Sequence, residues 1–119
     1  MARPPDKVKS ILLTELLIIA ADDLRAARLQ WLTGLSNERR LAKATAEAYE
    51  RDTRQFLHFL TAHLGKPPSL ADIRDLRPAD LRGFLAARRN GGAGARTLGR
   101  GLAGVRSLLR FLEIGRAHV

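Results

Sequence analysis

The sequence predicts an all-α protein, a compact bundle of four to five helices, on three observations. Apolar residues recur at intervals of three, four and seven along most of the chain. No run of β-branched residues alternates with period two. Clusters of proline and glycine separate the periodic stretches.

The first helix is expected from about Asp22 to Leu35, where Leu24, Ala27, Arg28, Trp31, Leu32 and Leu35 fall near helical spacing. Trp31 reads as a core anchor, and "SNERRLAKAT" as a short polar link. The second helix is "TAEAYERDTRQFLHFLTAHL". Tyr49, Phe56, Phe59, Leu60 and His63 form its apolar face. At about 100° per residue, Lys43, Glu47, Arg51, Arg54 and His58 gather opposite. Gly65 suits the position after the last turn, and Pro67-Pro68 cannot continue the helix. The third helix, "LRPADLRGFLAARR", carries Pro78 in its first turn and Leu81, Phe84 and Leu85 as core positions. "NGGAG" is the hinge to a fourth helix starting near Ala95.

That last helix, within "GAGARTLGRGLAGVRSLLRFL", holds Gly99, Gly101 and Gly104, each costing about 1 kcal/mol against alanine. On a helical wheel Leu98, Leu102, Val105, Leu109 and Leu112 face the core. Arg96, Arg100, Ala103, Ser107 and Arg110 lie opposite, with Arg106 on a flank. The glycines fall on the boundaries, where small residues admit a neighbouring helix or a sugar–phosphate strand.

The 119 residues suffice for one domain. The formal net charge is +9, which calls for a polyanionic partner. From Arg88 to Arg116 there are seven arginines and one acid, Glu113. A merely solvated helix face mixes signs at i,i+4, as the second helix does with Glu47 and Arg51. The last helix has no such acids, so phosphate is its natural counterion. The chain has no cysteine, which excludes disulfides and thiolate metal sites. His58, His63 and His118 show no metal-ligand grouping, and no cofactor is expected. Double-stranded DNA is favoured over RNA because Trp31, Tyr49 and the four phenylalanines all fall on apolar faces, leaving none for base stacking.

"ILLTELLIIAA", residues 11–21, is the most apolar run. It is too short to span a bilayer and lacks a good cleavage site, so a buried N-terminal helix or turn and a cytoplasmic location are expected. The domain plan is a partly flexible leader over 1–20, one DNA-binding domain over 21–113, and a tail over 114–119.

The stretches "ERRLAKATAEAYERDTRQFLHFL", "LRPADLRGFLAARR" and "GAGARTLGRGLAGVRSLLRFL" together resemble the N-terminal core-binding, SAM-like domain of tyrosine recombinases. The likeness is strongest to the Xer type and its XerC-like members. Thr45, Tyr49, Asp52, Phe56, Phe59 and Leu60 fit that family's first motif, and Asp80, Leu81, Phe84 and Leu85 its second. Arg96, Thr97, Leu98, Arg100, Leu102, Val105, Arg106, Leu109 and Leu112 fit the third. The resemblance implies a helical half-clamp on duplex DNA, working with a related, XerD-like partner recombinase in DNA integration or chromosome dimer resolution. It makes Lys43, Thr45, Arg51, Arg54, Arg96, Arg100, Arg106 and Arg110 the candidate DNA contacts, mostly to phosphate. Ala42 and Gly94 depart from the family's Ser or Thr at the two helix starts.

The family's catalytic set is a tyrosine nucleophile with arginines, a lysine and histidines from a second domain. The lone tyrosine, Tyr49, lies at a structural position of the family pattern, and no His-x-x-Arg occurs. The chain is therefore expected to bind DNA without cutting it. "EIGRAHV" leaves the pattern and equals one translated frame of a common sequencing adapter, so 114–119 is expected to be non-native or truncated, with the catalytic domain absent. The alternative is a free-standing, non-catalytic basic helical regulator that occupies DNA.

Overall fold

The computed structural model describes residues 19–37 and 41–117, and side chains as far as Glu113. The leader, nearly all of the apolar run, and residues 38–40 and 118–119 lie outside the described residues. Among the described residues five helices follow one another: α1 (Asp22–Asn37), α2 (Lys43–Leu64), α3 (Leu70–Arg74), α4 (Pro78–Asn90) and α5 (Ala95–Ala117). Among the described residues there is no strand.

The punctuation behaves as the sequence indicates. Gly65 ends α2 in the left-handed region at φ 77° and donates its N–H to the Thr61 carbonyl. Pro78 opens α4. Ala42 caps α2 without any side-chain bond. Gly92, at φ 96°, makes the turn between α4 and α5. The short α3 adds a fifth helix in the stretch after Pro67-Pro68. It is nucleated by a capping box: Ser69 Oγ accepts from the Asp72 N–H at 3.2 Å, and Asp72 Oδ2 accepts from the Ser69 N–H at 2.9 Å. The helix α5 continues to Ala117, so Ile114–Ala117 of the tail lie within it.

The core centres on α2 packed against α5, with α1 and α4 closing the sides. Leu24, Phe56, Leu57, Leu60, Leu108 and Val105 are almost wholly buried. The Phe56 and Phe84 rings meet edge to face, centroids 5.1 Å apart. Trp31 is buried as expected, donating Nε1–H to Ser107 Oγ at 3.1 Å and stacking parallel to Tyr49.

Several positions differ from the wheel reading. The buried stripe of α5 runs through Gly101, Gly104, Val105 and Leu108, its centre rotated by about 70° from that of the Leu98, Leu102, Val105, Leu109 and Leu112 stripe. Gly101 and Gly104 therefore lie in the packed face, and only Gly99 is open. A Cβ on Gly104 would sit 3.2 Å from Tyr49 Cα and 3.3 Å from Tyr49 Cδ1, so α2 and α5 approach backbone to backbone there. Ser107, placed opposite the core by the wheel, is half-buried against Trp31. His63 is exposed, stacked on Phe59 and bonded to Asp80 Oδ1 at 2.8 Å. Phe111 is also exposed, unlike the other aromatic rings.

Among the described residues Arg28 is the largest fully buried side chain. Its guanidinium donates to the Glu50 carbonyl at 2.8 Å and to Thr53 Oγ1 at 3.1 Å, and lies 3.5 Å from Glu50 Oε1. A buried cation held by several acceptors pins α1 to α2. Arg28→Ala strips those acceptors of their donor and is expected to cost about 3 kcal/mol, read by urea unfolding followed by circular dichroism.

The Arg77 N–H, and secondarily the His63 ring, hold the Asp80 carboxyl below the ordinary aspartate range. A depressed carboxylate contributes stability at neutral pH that is lost as the pH falls below about 4 toward the folded-state value. Asp80→Asn is expected to flatten the acid limb of a thermal-midpoint profile there; parallel limbs would assign that loss to other carboxylates.

Candidate nucleic-acid interface

The sequence singles out eight residues, and the two helices treat them differently. On α5, Arg96, Arg100, Arg106 and Arg110 are all exposed. At about 100° and 1.5 Å per residue they spread over about 120° of the helix surface and about 21 Å of its length, Arg106 and Arg110 most nearly opposite the stripe buried against α2 and Arg100 toward its edge. None of the four has a carboxylate partner among the described residues. The α5 backbone begins after Gly94, which offers no side chain to its first turn. Partial positive charge at that helix start adds to Arg96 and Arg100.

On α2, Lys43 and Arg51 are exposed, while Arg54 is half-buried and Thr45 is half-buried round the helix, on the side of Asp52 and Tyr49. The sign-mixing pair here is Glu50–Arg54 at 3.1 Å, and Arg51 turns instead to its neighbour Asp52 at 3.6 Å, which corrects the Glu47–Arg51 expectation. Arg54 Nε is near Glu50 but out of line for a hydrogen bond. Glu50 thus sits between Arg28 and Arg54 and ties the latter to the interior network. Arg51, more than half exposed and loosely paired, can exchange Asp52 for a phosphate at little cost. The α2 set is a partly self-neutralised surface, and the α5 set is an uncompensated one.

Asp52 is buried beneath α5, and its Oδ2 finds no hydrogen-bond partner among the described residues. Arg82 and Arg89 on α4 are exposed and likewise unpaired, residues that the wheel reading passes over although the base excess after Arg88 signals the second. No group of three or more His, Cys, Asp or Glu among the described residues could hold a metal ion. No helix among them is long and apolar enough to cross a membrane.

The family profile described as phage integrase, N-terminal SAM-like domain, matches residues 29–114, which takes in the second half of α1, all of α2, α3 and α4, and most of α5. The chain belongs to this family. Its relatives include proteins named tyrosine recombinase XerC. That of Mesorhizobium japonicum is 74% identical over 99 residues, 83% of this chain and 32% of the relative. That of Rhizobium meliloti is 66% identical over 102 residues, 86% of this chain and 32% of the relative. The Brucella suis protein is 70% identical over 100 residues, 84% and 32% respectively. The chain spans about a third of the length of these relatives. No solved structure matches significantly. In this integrase-family domain Tyr49 is half-buried, stacked on Trp31 and packed under Gly104. That is a structural role.

Proposed function

We propose that this chain binds duplex DNA as the core-binding portion of a XerC-like site-specific recombinase. The observation that carries the reading is the side of α5 bearing Arg96, Arg100, Arg106 and Arg110 without carboxylate partners among the described residues. A duplex presents one charge per about 1.7 Å of axis, so a cationic ridge about 21 Å long meets many phosphates at once. Arginine suits this task through its fork of donors. The contacts position the protein and carry little sequence information. Lys43 and Arg51 add further exposed basic groups on α2, whereas Arg54 is tied to Glu50 and Thr45 is half-buried.

Cleavage and strand exchange belong, on this reading, to the part of such a recombinase beyond these residues. The whole protein would pair with a related, XerD-like recombinase on a two-arm site during chromosome dimer resolution. The test is a mobility-shift titration of the chain against duplex DNA across salt, alongside a nicking assay on supercoiled plasmid. Binding with a log–log salt slope of about −0.9 per neutralised phosphate, and no nicking, is expected. Absence of salt-dependent binding overturns the reading.

A further inference from the structure

A second set of uncompensated cations stands on α4. Arg82 and Arg89 are the charged residues of its exposed face, accompanied there by Ala79, Ala86 and Asn90. Neither arginine has an acidic partner among the described residues. Seven positions apart, they stand within about 20° of each other and about 10.5 Å apart along the helix. Helix energetics do not account for the pair. Arg89 lies in the last turn, where a cation complements the helix dipole, but Arg82 lies in the first half, where it does not. A solvated face mixes signs, whereas the one acid of α4, Asp80, is turned toward α2 and bonded to His63.

The packing of α4 fixes where the pair faces. Asp80 and Gly83 meet α2: Asp80 at His63, 2.8 Å away, and Gly83 at Phe59, whose Cζ would lie 3.4 Å from an added Cβ. Leu81 instead lines a groove with Leu109 and Leu112 of α5. At about 100° per residue, Arg82 and Arg89 stand about 160–180° round from Asp80 but only about 80–100° from Leu81, on the outer flank toward α5. On α5 itself, Arg106 is about 60° and Arg110 about 100° round from Leu109. The turn between the helices is tight, the Gly92 N–H reaching the Arg89 carbonyl at 3.0 Å, so Arg89 stands close to where α5 begins.

We propose that Arg82 and Arg89 form a second line of phosphate contacts to the same duplex that α5 engages, so that the outer side of α4 and α5 together is the cationic surface. The inference rests on the reading of this chain as a duplex binder and adds a second helix to it. Charge complementarity selects the occupant: two forked cations with no acid beside them match a phosphodiester backbone. Alanines between them leave the guanidinium groups clear of other side chains. Such contacts strengthen binding to every sequence alike.

The test titrates the full chain against short duplexes of three unrelated sequences by mobility shift across salt. Arg82→Ala with Arg89→Ala is expected to lower affinity several-fold at low salt, equally on all three, and to make the log–log salt slope shallower by about 1–2. Arg82→Lys with Arg89→Lys keeps both charges and is expected to retain most of the slope. Added to the α5 alanine variants of Arg96, Arg100 and Arg110, the α4 alanines should reduce the slope further by the same amount. An unchanged slope in the α4 alanine pair, with the α5 variants losing theirs, overturns this inference and leaves duplex binding standing. A parent chain without salt-dependent binding overturns both. A second duplex bound per chain, abolished by the α4 alanines alone, also overturns it, because α4 and α5 would then serve different molecules.

Discussion

Replacing Arg96, Arg100 and Arg110 together with alanine is expected to lower duplex affinity at least tenfold at low salt and to make the log–log salt slope shallower by about 2–3, since each neutralised phosphate contributes about 0.9. These side chains are exposed and bear on no packed face, so the helical signal and the urea midpoint should stay close to the parent. Arg51→Ala should give a smaller loss, because its guanidinium already spends part of its charge on Asp52. Arg54→Ala should act chiefly on stability, through the Glu50 and Arg28 network. An unchanged salt slope in the triple variant, with the fold intact, would remove α5 from the interface.

The second large effect concerns the glycines of α5, where two neighbouring turns should respond with opposite signs. Gly99 has nothing within 4 Å of an added Cβ, so Gly99→Ala should gain about 0.5–1 kcal/mol from helix propensity alone. A Cβ on Gly104 would lie 3.2 Å from Tyr49 Cα, so accommodating it requires the α2 backbone to shift by a few tenths of an ångström. Gly104→Ala sets that same propensity gain against overpacking and is expected to lose about 1 kcal/mol net; Gly104→Val should lose about 3 kcal/mol. For a domain of marginal stability, that is a large share of the total. Urea denaturation of the three variants checks the ordering, and a stabilised Gly104→Ala would show that α2 and α5 can slide apart freely.

The same pair of glycines explains what could be read in the residues and what could not. Helix limits were legible because they depend on local chemistry: Gly65 at positive φ, Pro78 in a first turn and the glycine hinge before Ala95 act without help from distant parts of the chain. The short α3 has too few residues for a periodic signal, although its Ser69–Asp72 box is a recognisable start. Orientation of α5 was less legible. A hydrophobic wheel weighs Leu102 and Leu109 heavily and glycine hardly at all, whereas close helix packing favours the face with the least bulk. Burial of Arg28 escaped for a related reason, since a lone arginine in an apolar stripe gives no sign of the acceptors supplied by α2. Of the candidate interface, the four α5 arginines emerge together on one side. On α2, competing acids at neighbouring positions decided which bases were left free, and only three-dimensional proximity selects among them.

The lone indole of the chain has a practical consequence. Trp31 joins three helices at once, hydrogen-bonded to Ser107 on α5 and stacked on Tyr49 of α2. Its emission is therefore an intrinsic optical gauge of how firmly the arginine-bearing helix is seated, with no label attached. Any ligand that levers α5 off its bed should register as a red shift, while one that merely coats its outer surface should leave the spectrum alone.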